Sequence, residues 1–271
     1  MSDLEFFLLV ISVSIVAYGV LSRMFSFKPR LMRRNVAGPG LVRLAMILSL
    51  SYVLFVLYNY ADPSVVGIYR FFYFMMGWAI LYVFGTFGSI VTGMHSDIDV
   101  GERANMAGAL LVASYILATG LIYGNSLWGD ADPSGDGEGG WWIPVGFFLA
   151  AWTILAFVTR MYRVGEWGRN SRWIRHVRKP SEVLHFAVFI VSSGWVLAVA
   201  VAGDFHGWID GLLPLGTLAL MMTVHQLITN FNQRPDRNPS RLMSPVEAFV
   251  NIAVTVGYTY VQRFVVSSWG A

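Results

Sequence analysis

Residues 106–124 read Met-Ala-Gly-Ala-Leu-Leu-Val-Ala-Ser-Tyr-Ile-Leu-Ala-Thr-Gly-Leu-Ile-Tyr-Gly, 19 positions without a charge. That length matches the roughly 20 apolar residues an α-helix needs to cross a hydrocarbon core of about 30 Å. Working outward, seven further stretches meet the same test: 5–24, 41–60, 65–92, 141–161, 183–203, 211–230 and 246–266. The last is the most interrupted by polar residues. Loops rich in Pro, Gly, Asp or Arg separate them, as turn chemistry requires. The expected fold is an all-α, polytopic membrane bundle of eight transmembrane helices forming a single domain, 1–271.

Composition supports this. Of the 271 residues, 56% are hydrophobic and 13% charged, with a mean hydropathy of +0.57. Soluble domains carry about 25% charged residues. These values exclude a disordered chain, a disulfide scaffold and an ordinary cytosolic enzyme. The absence of Cys removes disulfides, thiolate metal sites and a cysteine nucleophile. No phosphate loop, hydrolase elbow or paired-carboxylate constellation is found, so the expectation is a protein that is not an enzyme. The start Met-Ser-Asp-Leu-Glu lacks a basic n-region and a small-residue cleavage site follows nowhere, so the first span is expected to be retained.

Charge placement gives an orientation. Arg23, Lys28, Arg30, Arg33, Arg34 and Arg43 fill the first loop; Arg160, Arg163, Arg169, Arg172, Arg175, Arg178 and Lys179 the fifth; Arg234, Arg237 and Arg241 the seventh. Among the basic residues, Arg70 and Arg263 alone fall near the other face. The positive-inside rule then makes the odd loops cytoplasmic and places both termini outside, in a cell inner (cytoplasmic) membrane. The third loop, with Asp97, Asp99 and Glu102 against Arg103, departs from the pattern. In the fifth loop, Arg163, Arg169, Arg172 and Arg175 are expected to face lipid, with Trp167, Trp173 and Ile174 dipping into the interface. The alternative is a stop-transfer cluster that sets topology alone. Membrane lipids are the expected partners, with a homo-oligomer or membrane complex as a further expectation and no nucleic acid.

An internal repeat is suggested by Asn35-Val-Ala-Gly38 with Ala61-Asp-Pro-Ser64, and Asn105-Met-Ala-Gly108 with Ala131-Asp-Pro-Ser134, both offset by 70 residues. Residues 35–92 and 105–161 would then be direct repeats; reuse of turn chemistry is the alternative.

Polar side chains within the spans carry the functional clues, because each is costly in hydrocarbon. Glu247, Asn251, Thr255, Tyr258 and Gln262 recur at helical spacing and share one face of the eighth span. Thr223, Gln226 and Asn230 do the same on the seventh. Two facing stripes would line a path for ions or protons; interhelical hydrogen bonding is the structural alternative. Ser244-Pro-Val-Glu247 also fits a capping box, which would spend Glu247 on backbone N–H groups. Arg70, with Tyr69 and Tyr73 nearby, is either a gate or binding residue or a snorkelling cation. His185 and His225 lie on adjacent spans and are metal or haem candidates, although about 5–6 Å separates their levels at 1.5 Å rise per residue. Gly120 and Gly124 form a small-xxx-small pattern that permits close helix approach, within the chain or between protomers.

These features resemble the microbial rhodopsin family, proteorhodopsin-like pumps in particular. The family's third helix begins Arg-Tyr-x-Asp-Trp; here the stretch is Arg70-Phe-Phe-Tyr73-Phe74, which keeps the Arg and loses the carboxylate. Ser193-Gly-Trp195 and Ala151-Trp152 resemble its sixth and fifth helices. The resemblance covers about residues 5–230 and implies a seven-helix scaffold with an outside N-terminus. The position of the retinal-bearing Lys falls near Thr223, and no membrane segment contains a Lys, so covalently bound retinal is not expected. The bound cofactor is otherwise open, haem and carotenoid included. Two functions follow: transport or sensing of an ion or small solute through a polar interior, or a non-catalytic membrane subunit or scaffold that binds partner proteins and anionic lipids.

Overall fold

The computed structural model describes residues 2–24, 37–63, 65–94, 96–129, 140–167, 177–203, 208–232 and 243–266. Among these the chain is all-helical: α1 Asp3–Met24, α2 Ala37–Asn59, α3 Ile68–Thr92, α4 Met106–Ser126, α5 Trp142–Trp167, α6 Pro180–Ala200, α7 Trp208–Asn232 and α8 Met243–Val261. A wide turn, Ser96–Glu102, precedes α4, and a second, Gln262–Val266, extends α8. Seven helices, α1 to α7, are long and apolar enough to cross a membrane. α8 falls short of that measure for a physical reason: its polar side chains lower its mean hydropathy, and it turns them inward.

The helices pack in two rows. The even row runs α2, α4, α6, α8, each in extensive contact with the next; the odd row runs α1, α3, α5, α7. Neighbours within a row are parallel, as their contacts climb both helices together. Gly38 lies against Ala109, the Ser49 hydroxyl donates to the Ile116 carbonyl at 3.3 Å, and the Tyr52 hydroxyl donates to Asn125 Oδ1. The next step repeats this: Asn105 Nδ2 donates to the Val177 carbonyl at 2.9 Å, and Gly194 meets Ala118. Beyond the helix ends, Gly129 N–H donates to the Tyr60 carbonyl at 3.3 Å and Gly203 N–H to the Trp128 carbonyl at 3.0 Å. α2, α4 and α6 are thus laced together by backbone at that end. In the odd row the Tyr69 hydroxyl donates to Glu5 Oε2 at 3.4 Å, Gly19 meets Tyr82, and Phe84 packs on Phe148 and Trp152.

α4 and α6 are the buried centre. α4 can be enclosed because Ala107, Gly108, Ala109, Ala113, Ala118 and Gly120 let neighbouring backbones approach closely. A Cβ at Gly120 would lie 2.5 Å from the Ser49 Cβ, and one at Gly194 2.5 Å from the Ala118 Cβ. The Gly120–Gly124 pattern therefore serves packing within the chain, α4 on α2. Asn105 caps α4 through its side chain, which accepts from Gly108 N–H at 3.1 Å. In the third loop Asp99 is buried, with Oδ1 3.0 Å from an Arg103 guanidinium nitrogen.

The outside of the bundle is apolar. α8 buries Glu247, Asn251, Thr255 and Tyr258 and exposes Val246, Phe249, Ile252 and Val256. Leu4, Phe6, Phe7 and Tyr18 are exposed on α1, and Leu44, Ile47, Phe55 and Tyr58 on α2. Contiguous apolar surface on this scale is untenable in water and natural against hydrocarbon.

Candidate functional site

Four helices each contribute side chains one turn apart, a spacing that puts them on a single face. α5 supplies Tyr162 and Glu166, α7 supplies His225 and Thr229, and α8 supplies Glu247 and Asn251. α6 adds His185 with Phe186 and Phe189. They meet near the helix ends adjoining the fifth and seventh loops. Tyr162 lies five residues before the end of α5 and His185 five after the start of α6, or about 7 Å inside at 1.5 Å per residue.

His225 is the centre of the cluster. Its Nδ1 is 3.0 Å from Glu247 Oε1, and its Nε2 faces Glu166 Oε2 at 3.9 Å. The Tyr162 hydroxyl donates to the same Glu247 oxygen. The Tyr162 ring stacks on the imidazole with centroids 3.6 Å apart and is backed by Phe186 and Phe189 at 4.9 and 4.4 Å. Glu166 also faces His185, with Oε1 3.8 Å from Nε2, and accepts from the Thr229 hydroxyl at 3.3 Å. The exposure gradient is clear: the Glu166 side chain is 29% exposed, that of Glu247 5% and that of His225 1%. An ionisable chain therefore leads from a partly open carboxylate to a buried one.

Asn251 follows Glu247 one turn further in. It is buried, and both its amide atoms lack a hydrogen-bond partner among the described residues. Thr159 Oγ1 and Ser193 Oγ are in the same state. Buried polar groups of this kind are rare and call for an explanation, a functional one among them. Beyond Asn251 the α8 face stays polar: Thr255 donates to the Asn251 carbonyl at 2.8 Å and Thr259 to the Thr255 carbonyl at 2.9 Å.

The structure distributes the sequence candidates unevenly. Glu247 and His225 join the cluster directly, with Asn251 beside Glu247; Thr255 and Tyr258 are buried further along the same helix face. Thr223, Gln226 and Asn230 are exposed, pointing away from His225. The two stripes accordingly do not face each other. The inward face of α7 is instead carried by His225 and, half-buried, Thr229, because the helix turns its Thr223–Gln226–Asn230 face outward. The capping-box expectation for Glu247 gives way as well. α8 begins at Met243, ahead of Pro245, and the Glu247 carboxylate is engaged by Tyr162 and His225.

Arg70 and Tyr73 belong to a different place. Arg70 Nε donates to the Val65 carbonyl at 3.1 Å and its guanidinium lies over the Tyr58 ring at 4.7 Å. The Tyr73 carbonyl accepts from the Tyr123 hydroxyl at 2.8 Å. Arg163, expected to face lipid, is buried and donates to the Ile90 carbonyl at 3.3 Å. A cation there complements the exposed carbonyls that end α3. Arg169, Arg172 and Arg175 lie outside the described residues.

Tyr162 and Glu166 were not legible as candidates, since the apolar run stops at 161 while α5 continues to Trp167. Their i, i+4 spacing was the available signal. Both His185 and His225 turn Nε2 toward Glu166, which bridges the difference in their levels. Among the described residues no group of three or more His, Asp or Glu is placed to hold a metal ion. Thr223 is exposed and donates to the Ala219 carbonyl at 2.8 Å. Comparison of the chain with protein-family models, with curated proteins and with solved structures finds no match.

Proposed function

We propose that this protein is a multi-pass protein of a cytoplasmic-type membrane that carries protons along its polar interior, with His225 relaying between Glu166 and Glu247. One observation carries the reading: a single buried imidazole has a carboxylate facing each ring nitrogen. Ionisable groups at membrane depth are retained for function because they are expensive to keep there.

The relay works as follows. With Nδ1–H donating to Glu247, Nε2 is a bare acceptor facing Glu166. A proton arriving at Glu166 passes to Nε2 once the side chains close the 3.9 Å gap to hydrogen-bond distance, and the imidazolium is then held between two carboxylates. Release of the Nδ1 proton to Glu247 completes one transfer and leaves the Nε2–H tautomer, which a shift of the proton back to Nδ1 resets before the next. Tyr162 fixes the ring by stacking and steadies Glu247 by its hydroxyl, so the donor and acceptor stay aligned. Asn251 and Thr255 continue the polar face of α8, where the unpartnered Asn251 amide offers a station for a proton carried by water.

The topology belongs to the same proposal. The basic first, fifth and seventh loops favour a cytoplasmic face at the Glu166 end and termini on the opposite face. α8 is taken as the eighth span: 19 residues plus the five of the following turn reach about 36 Å at 1.5 Å per residue. Its inverted polarity, apolar outward and polar inward, suits lipid on one side and the relay on the other. The rhodopsin resemblance would supply a scaffold without a chromophore linkage, and the relay does not depend on it.

The test is proton flux into liposomes that hold the full-length protein and a trapped pH-sensitive dye, driven by a potassium diffusion potential. The wild type should exceed protein-free vesicles, and Glu247→Gln should remove at least about tenfold of that rate, one 1.4 kcal/mol step in barrier. Wild-type flux equal to that of empty vesicles would leave the cluster as interhelical glue and favour the scaffold reading.

A further inference from the structure

We propose that the groove between α6 and α8 binds one glycerophospholipid, with an acyl chain lying along the groove and its phosphodiester at the Arg263 guanidinium. The groove has a volume of about 540 Å³ and is walled by Trp195, Ile252, Val256, Tyr260 and Phe264, with Arg263 at one end. A volume in that range suits a small ligand, since clefts for such ligands run about 300–1,000 Å³. The large apolar residues of α8 that form its lip are exposed, so the groove opens on the outside of the bundle.

Its length and its polarity select the occupant. From Ile252 to Phe264 the groove follows α8 for about 18 Å at 1.5 Å rise per residue. One leaflet of hydrocarbon is about 15 Å deep, half of the roughly 30 Å core. An occupant must therefore be apolar over one leaflet and anionic at one end. Arg263 stands at that end, exposed, with its guanidinium 5.9 Å from the centre of the Trp128 ring. Trp128 lies just past the end of α4, the interfacial level at which Trp is enriched. A planar guanidinium there is suited to a phosphate. The polar groups of Trp195 and Thr259 in the wall are already engaged: Trp195 Nε1–H donates to Thr259 at 2.9 Å, and Thr259 to the Thr255 carbonyl at 2.9 Å. The wall then presents hydrocarbon to an acyl chain. A second copy of this protein would need matching charge at one end alone, which an apolar helix face does not provide; a phospholipid has that pattern by construction.

The test uses the purified full-length protein in detergent, titrated with phosphatidylglycerol brominated on its acyl chains. Tryptophan quenching should contain a saturable component that Trp195→Phe lacks. Arg263→Gln should weaken that component at least about tenfold, the loss of a charge-assisted phosphate contact. Val256→Phe, which fills the groove at an exposed position, should weaken it too. Brominated diacylglycerol with the same chains should bind the wild type no better than it binds Arg263→Gln. The proposal is overturned if Arg263→Gln binds as the wild type does or if diacylglycerol matches phosphatidylglycerol. It is also overturned if inorganic phosphate alone displaces the lipid fully, or if native mass spectrometry shows a dimer that retains no lipid.

Discussion

The contact of α2 with α4 and the meeting of α5 to α8 are both interiors of one bundle, and they are built on opposite principles. The first is dry and small: Gly120 receives Ser49, Gly38 receives Ala109, and the few polar groups find partners at once. The second collects two carboxylates, two imidazoles and a tyrosine, and leaves the Asn251 amide orphaned. Helices in lipid need close approach and a few hydrogen bonds to associate, about 0.6–2 kcal/mol per contact. The α2–α4 contact shows that this chain can meet that need without charge. The α5–α8 cluster exceeds it, and the excess is what a proton path requires.

The contrast can be broken by substitution, and the largest effect belongs to the dry side. Gly120→Leu drives a side chain into Ser49, where a Cβ alone would come within 2.5 Å. The cost should exceed the roughly 1–3 kcal/mol of ordinary overpacking and abolish the folded yield in size-exclusion chromatography. Gly216→Leu, which meets nothing within 4 Å, should fold normally. Equal yields would mean that α2 and α4 do not pack as described.

On the polar side, function should fall while folding holds. Glu247→Gln keeps the shape and can still hydrogen-bond Tyr162, so its melting transition should match the wild type as its proton flux drops at least about tenfold. Asn251→Leu separates the two interiors most sharply. Removing an orphaned amide should recover about 1–3 kcal/mol of stability, read as a higher melting temperature, while flux falls about threefold, a barrier change under 1 kcal/mol. A destabilised Asn251→Leu would make Asn251 glue. The smallest effect is expected at Gln226, exposed on the outer face of α7. Gln226→Leu should stay within about 0.5 kcal/mol in stability and leave flux unchanged; lost flux would bring α7's outer stripe into the path.

The sequence makes the helices legible because hydrocarbon is a harsh filter: spans of about 20 apolar residues have few alternatives, and α1 to α7 appear where the runs lie. Two things escaped. The order of packing, in which α4 touches α2 and α6 through small residues, depends on shape rather than hydropathy, and Gly120–Gly124 announces close approach without naming its partner. The site was half visible. Glu247 and His225 stood out as polar residues in apolar runs, whereas Tyr162 and Glu166 sit where α5 passes into basic sequence and hydropathy goes blind. Thr223, Gln226 and Asn230 kept a helical spacing, yet spacing says which residues share a face and not which way that face turns.

If Glu166, His225 and Glu247 form one series path, as proposed, a double-mutant cycle reveals it most directly. Proton flux is measured for the wild type, Glu166→Gln, Glu247→Gln and the double variant in the same liposomes. Steps in series are strongly non-additive, so the double variant should be no slower than the slower single variant. Independent losses that multiply in the double variant, or no loss in either single variant, would contradict the account.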